Sequence, residues 1–273
     1  MIDPLEKQQI MSGILDLNGR VALITGAGQG VGRQIALHYA GHGADGVVVN
    51  DFFGERAGAV VEEIRALGGK AIAVPGDVTD LNAVKGMVRK AEEAFGRVDI
   101  LVNNAGNAGA SPDPEARKAF WETGPIAWDS FIGVNFYGVI NCASACIPSM
   151  IERRSGRIIT IISDAGRTGE AGLEVYSGAK AGAAGFTRAV ARSLGRYQIT
   201  ANCIAIAATM TPPIEARLKG DPDRLKKMME KYVIRRPGQP QDVANMALYL
   251  ASGASDWITG QTYPVNGGFS FSM

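Results

Sequence analysis

The chain has 273 residues, 46% of them hydrophobic, with a formal net charge of +1. That length and apolar content support one large core, and α/β chains of this size are commonly one domain. The near-neutral charge argues against a nucleic-acid partner, which a strongly basic chain would suggest. Three cysteines (Cys142, Cys146, Cys203) form no disulfide framework and read as small buried hydrophobes in a reducing compartment. Two histidines, His38 and His42, fall in one helical pattern and make no zinc site.

The N-terminal stretch "MIDPLEKQQIMSGILDLNGR" carries early acidic residues and no long apolar run. It reads as a loose leader over residues 1–17, neither signal peptide nor membrane span. No later stretch is expected to reach the ~18 apolar residues of a spanning helix. A cytoplasmic location without membrane attachment is the expectation.

From residue 20 onwards strands and helices alternate. "RVALITG" is a strand entering a turn, and "GRQIALHYAGHG" a helix closed by glycine. "GVVVND" is a second strand. "ERAGAVVEEIRALGG" is a helix with Val60, Val61, Ile64 and Leu67 on its apolar face. "KAIAVPGDV", "LNAVKGMVRKAEEAFG" and "VDILVNNAG" continue as strand, helix and strand. "GRIITIIS" and "ITANCIAIA" are later strands separated by a helix. Short, almost wholly apolar strands imply burial on both faces, and alternation with helices implies a parallel sheet with right-handed crossovers. The expected architecture is a single-domain, doubly wound α/β fold of about seven strands with helices on both faces.

Two segments interrupt this rhythm. Residues 107–125 form a long polar connection broken by glycine and proline, at Gly109, Pro112, Pro114 and Gly124 among others. Residues 209–238 are charged and punctuated by proline. Long excursions at the carboxyl edge of a parallel sheet usually cover a ligand site, so 209–238 reads as a lid. Its basic residues, including Lys219, Arg224, Lys226, Lys227, Arg235 and Arg236, read as a solvated face.

"TGAGQGVG", Thr25 to Gly32, joins the first strand to the first helix. Backbone without Cβ atoms can approach a pyrophosphate there, and the helix N-terminus supplies free N–H groups and a positive dipole end. Gly26, Gln29, Gly30, Val31 and Gly32 are the candidate contacts. Asp51 closes the second strand, where a carboxylate can accept both adenosine ribose hydroxyls and repels a 2′-phosphate. Gln29 and Phe52 are uncharged, and Arg33 points into the helix. This favours NAD over NADP.

With "GDV" at Asp77, "NNAG" at 103–106, Asn135 in "GVNFYGV", Ser163, "YSGAK" at 176–180 and "ITGQTYPVNGG" at 258–268, the chain resembles a short-chain dehydrogenase/reductase with a Rossmann-like fold over residues 18–270. The resemblance implies that Asp77 and Val78 meet adenine and that Asn104, Ala105 and Gly106 close the fourth strand against the cofactor. Asn135, Ser163, Tyr176 and Lys180 match the catalytic tetrad, with Lys180 also binding the nicotinamide ribose. Ile206 and Ala207 stand where the family usually has Pro-Gly. Thr209 and Thr211 remain at the nicotinamide-contact positions. A homotetramer is implied, with the Tyr176 helix and the one before it between subunits.

The chemistry fits these residue types. Alcohol oxidation releases a proton as hydride leaves, and a free tyrosine, at pKa about 10, is too weakly acidic to serve near neutrality. Helical spacing puts Lys180 one turn from Tyr176, where its cation, together with the positive nicotinamide, is expected to favour the phenolate. The short string Ser163-Asp164-Ala165-x-Arg167 resembles one in family members that oxidise hydroxyacyl-CoA thioesters, including alicyclic ones. Arg167 is expected to pair with Asp164. The expected substrate is a small secondary alcohol or ketone, such as a hydroxyacyl-CoA or ring alcohol. The alternatives are an NADPH-dependent 3-oxoacyl reductase and a non-catalytic dinucleotide sensor.

Overall fold

The computed structural model describes residues 13–107, 115, 118–218 and 222–271. Seven strands form one parallel sheet: β1 (Val21–Ile24), β2 (Gly46–Val49), β3 (Ala71–Ala73), β4 (Ile100–Asn103), β5 (Gly156–Ser163), β6 (Ile199–Ile206) and β7 (Thr262–Val265). Their order is β3-β2-β1-β4-β5-β6-β7. The strand order reverses between β1 and β4, which opens a crevice outside their carboxyl ends.

Helices cover both faces. Helix α1 (Gly30–Gly41), α2 (Gly54–Ala66) and α10 (Pro240–Ala251) pack on one side, where Ile35, Tyr39, Ile64 and Leu248 meet Ile24, Val49 and Ile159. On the other side lie α3 (Leu81–Phe95), α5 (Gly138–Arg153) and α7 (Glu174–Leu194). There Met87, Cys142, Cys146, Met150 and Leu194 cover Leu23, Leu101 and Ile158. Strands β1, β2 and β4 are buried along their whole length, so their Val, Ile and Leu side chains drive packing from both faces. The helix ends follow local chemistry. Asp80 caps α3 by accepting the Asn82 N–H, and Gly96 closes it at φ 79°. Pro240 opens α10 beside a capping box of Gln239 and Asp242.

Two features depart from the expectations. First, the leader 1–17 lies mostly outside the described residues, but its last residue, Leu17, is fully buried and donates its N–H to the His42 carbonyl at 2.8 Å. Packed chain therefore begins before residue 18. Second, α4 (Pro125–Ile132), a π turn (Gly133–Tyr137) and α5 run on as one helix, Pro125–Arg153. It is long and apolar enough to span a bilayer by length and composition, where no such stretch was expected. Its inward face, from Val139 to Met150, packs into the core. In keeping with the expected strand ITANCIAIA, β6 continues through Ile206, which pairs with Val265. The isoleucine at the family's proline position keeps a backbone N–H for such a ladder.

The lid contains α8 (Pro212–Leu218) and α9 (Pro222–Met229), after a short α6 (Ala165–Thr168) earlier in the chain. Lys219, and residues 108–114, 116 and 117 of the 107–125 connection, lie outside the described residues. Cys142, Cys146 and Cys203 are buried and unpaired, as their apolar surroundings suggested.

Candidate active site

A cavity of about 730 Å³ runs along the carboxyl ends of the central strands. At one end stand Gly26, Gln29, Gly30 and Val31 of the glycine loop, with Asp51 and Phe52 from the end of β2. Asp77, Val78, Asn104, Ala105 and Gly106 line its middle. Tyr176, Lys180 and Ile206 also line it, as does Thr211 beside the glycine loop.

The glycine loop is held by its neighbours. Thr25 Oγ1 accepts the N–H groups of Asn104 and Ala105 at 3.0 and 3.1 Å. The Asn104 amide returns bonds to the carbonyls of Thr25 and Gly26 at 2.9 and 3.0 Å. The turns after β1 and β4 are thus stitched together, and the Asn104 side-chain donors are committed to that joint. Gly32 does not line the cavity. A Cβ there would lie 2.5 Å from both the Gly26 carbonyl oxygen and Asn104 Nδ2, so glycine is required by close approach. Asp51 is buried, and its carboxylate accepts the N–H groups of Gly28 and Phe53, both at 3.0 Å. It therefore shapes the loop as well as walling the cavity.

Two basic residues near this end differ in what they do. Arg33 pairs with Glu63 on α2 and is drawn away from the cavity. Arg56 lines the cavity, with its guanidinium 4.4 Å from the centre of the Phe53 ring. The sequence reading missed Arg56, because it sits on α2 beyond the strand-end positions where a basic side chain was sought. Thr25 was also missed as an organiser, although its place before the first glycine was the available signal.

The four tetrad positions come together. Ser163 closes β5, and its hydroxyl accepts the Ala165 N–H at 3.2 Å and hydrogen bonds Tyr176. Lys180 is buried on α7, one turn beyond Tyr176, and donates to the Ile161 carbonyl at 2.8 Å. Its Nζ lies 5.9 Å from the centre of the Tyr176 ring. Asn135 sits in the π turn, fully buried. Its amide donates to the carbonyls of Asn107 and Phe131 at 2.6 and 2.8 Å. The π turn leaves its Oδ1 buried without a partner. A Cβ on Gly106 would lie 3.2 Å from Asn135 Oδ1 and 3.4 Å from Lys180 Nζ, so both atoms converge over this glycine.

Burial dominates the electrostatics of the pair. The largest effect on Tyr176 is burial, which raises its pKa; the hydrogen bond with Ser163 opposes it. Burial also lowers Lys180 to about 8 from its ordinary 10.5. The lysine lies by the ring face and its amine is held by the Ile161 carbonyl.

The two threonines separate. Thr211 lines the cavity, 3.1 Å from where a Gly30 Cβ would be. Thr209 is buried in a bridge to Gly238 and bonds the Ala207 carbonyl at 3.2 Å. Arg167 and Asp164 form the expected ion pair at 2.6 Å. Among the described residues no cluster of His, Cys, Asp and Glu could hold a metal ion.

A sequence profile described as enoyl-(acyl carrier protein) reductase matches residues 26–270. The chain is 40% identical to the (2S)-[(R)-hydroxy(phenyl)methyl]succinyl-CoA dehydrogenase subunit BbsD of Thauera aromatica, over 94% of this chain and 98% of that one. It is 38% identical to the 3-oxoacyl-[acyl-carrier-protein] reductase FabG of Staphylococcus aureus, over 90% and 96%. A solved 7 alpha-hydroxysteroid dehydrogenase complexed with NADH and 7-oxo glycochenodeoxycholic acid superposes with a TM-score of 0.84 at 37% identity, covering 93% and 96%. The stitched glycine loop, the seven-stranded sheet and these likenesses over nearly the full length lead to one conclusion: the chain belongs to the short-chain dehydrogenase/reductase family, dinucleotide-dependent oxidoreductases acting on CH–OH and carbonyl groups.

Proposed function

We propose that the protein interconverts a secondary alcohol and a ketone with NAD(H), and that Tyr176 is the general acid/base. One observation carries the reading. The glycine loop, Asp51, Tyr176 and Lys180 all line a single cavity. Its size suits an extended dinucleotide plus a small substrate, within the ~300–1,000 Å³ usual for ligand sites. The loop offers backbone where side chains would intrude, which fits a pyrophosphate. When bound, the nicotinamide supplies the hydride acceptor.

The chain's own groups handle the proton. Tyr176 takes it from the substrate hydroxyl, and Ser163 holds the substrate oxygen beside the phenol and steadies charge developing there. Lys180 binds ribose, and its convergence with the unpartnered Asn135 Oδ1 over Gly106 supports a proton relay through a water held between them. Thr211 contacts the carboxamide end and Asp77 and Val78 the adenine.

Asp51 supports NAD over NADP, since a buried carboxylate repels a 2′-phosphate. Arg56 favours a second reading, a 3-oxoacyl reductase using NADPH, because a guanidinium at the cavity wall can grip that phosphate. The proposed substrate is a hydroxyacyl-CoA or a ring alcohol. The protein acts in the cytoplasm as a homotetramer.

The test follows reduced-dinucleotide formation from NAD and from NADP with 3-hydroxybutyryl-CoA, cyclohexanol and 1-phenylethanol. Turnover with NAD at least tenfold more efficient than with NADP supports the reading. The reverse preference would establish the NADPH alternative, and dinucleotide binding without any turnover would favour a sensor.

A further inference from the structure

Asp164 immediately follows Ser163, yet its carboxylate faces away from the cavity chemistry and is almost fully buried. Its backbone joins β6 by donating to the Ile206 carbonyl at 2.9 Å. Its side chain gathers the C-terminal segment. Oδ2 accepts the Asn266 amide at 2.6 Å. Oδ1 accepts both Arg167 and the Ser270 hydroxyl, at 2.6 and 3.0 Å. Arg167 also donates to Ser270 Oγ at 2.8 Å and to the Phe271 carbonyl at 3.1 Å. The same tail holds the end of the lid. Ile234 donates its N–H to the Gly267 carbonyl at 2.9 Å, and the Phe269 ring lies 5.2 Å from that of Tyr232. Tyr232 in turn accepts the Ala208 N–H at 3.0 Å, on the connection that leads to Thr211.

We infer that Asp164 is a positioning residue that couples the C-terminal segment 266–271 and the lid base to Ser163. The inference rests on the proposed role of Ser163 but assigns a function to residues that do not touch substrate. A buried carboxylate taking charge-assisted bonds from three side chains fixes its own backbone tightly. The neighbouring Ser163 hydroxyl is thereby held toward Tyr176, and the same knot fixes where the lid begins. Loosening the tail should move the serine relative to the phenol, and displacements well below 1 Å matter to a reacting geometry.

The experiment starts at the far end of the knot, where folding is least at risk. Ser270→Ala removes one donor to Asp164, and Ser270→Thr keeps a hydroxyl there. With the alcohol that the wild type oxidises best among 3-hydroxybutyryl-CoA, cyclohexanol and 1-phenylethanol, kcat in Ser270→Ala is expected to fall about tenfold. The dinucleotide Kd should change less than about twofold, and Ser270→Thr should recover most of kcat. Asp164→Asn should be more impaired, because its new amide would face the Asn266 amide donor. Amide hydrogen exchange provides a readout without turnover. Ser270→Ala should speed exchange both at Thr168, whose N–H bonds the Asp164 carbonyl, and at Ile234. Unchanged kcat and KM in Ser270→Ala and in folded Asp164→Asn, with only a lower Tm, would overturn the inference. So would unchanged exchange at Ile234. A wild type that binds dinucleotide but turns over none of the three alcohols would instead count against the proposed function, leaving the exchange experiment to judge the coupling.

Discussion

Tyr176 has to lose a proton easily, and its burial works against that. The groups that make it effective therefore act by contact and position: the Ser163 hydrogen bond, the ribose held by Lys180 and the substrate oxygen itself. Tyr176→Phe keeps the ring that meets Phe131 edge-on at 6.3 Å, so the site should keep its shape. Turnover is expected to fall by about 10²–10⁴-fold, the usual contribution of a positioned acid or base, while dinucleotide binding by fluorescence titration stays near wild type. Lys180 makes a second prediction. Its folded pKa, about 8, lies below the ordinary 10.5 because burial disfavours the cation. Between these values the unfolded chain binds more protons than the native one, so stability rises with pH across that window. Below about pH 8 both states are protonated and the full cost of burying the charge remains. In urea titrations the wild type should therefore gain on Lys180→Met as pH climbs from 8 towards 10.5. A gap between the two that is flat over that range would mean the amine is not desolvated.

At the level of elements, the site depends on where backbones touch. Helix α6 lies against α7 at Gly166, where a Cβ would be 2.8 Å from Lys180 Cβ and 2.9 Å from the Ala181 nitrogen. Those neighbours are not flexible side-chain tips, so Gly166→Ala must push α6, and Ser163 behind it, away from the Tyr176 helix. Overpacking of this kind costs about 1–3 kcal/mol, and Tm should fall together with kcat. Gly32→Ala meets the Gly26 carbonyl and Asn104 in the same way at the glycine loop. Its expected signature is a loss of dinucleotide affinity of at least tenfold, measured by calorimetry. The sequence made the elements readable because Val, Ile and Leu runs alternate with helical periodicity, and it placed Tyr176 and Lys180 one turn apart through simple i, i+4 geometry. It did not reveal the π turn at Asn135, since one extra residue per turn leaves no compositional trace. Nor did it reveal Arg56 in the cavity wall, which depends on how α2 docks against the glycine loop.

The whole molecule presents one surface that its own packing leaves unexplained. The small residues of α7 divide into two sets. Ala179, Ala183 and Ala184 are buried against the sheet. Gly178 has nothing within 4 Å of a would-be Cβ, Gly185 meets only the tip of Arg188, and Ala181 is exposed. Sequence alone could not separate these sets, because both close packing on the sheet and close approach of another chain favour small residues. The outward set has no such explanation within the protomer. On the adjoining long helix Ile126 is 81% exposed and Tyr137 56%, an apolar load suited to burial. These features support the proposed tetramer built through α7 and the α4–α5 helix. Light scattering should give four times the 28.7 kDa chain mass at micromolar concentration. Ala181→Glu places a large charge on the outward stripe where the protomer has room for it, so the fold should survive by circular dichroism. Association should not, because a carboxylate buried at a tight helix contact without a partner costs more than such an interface returns. A variant that still scatters as a tetramer would place the contact elsewhere on the molecule. A wild type that scatters as a monomer would reject the tetramer itself.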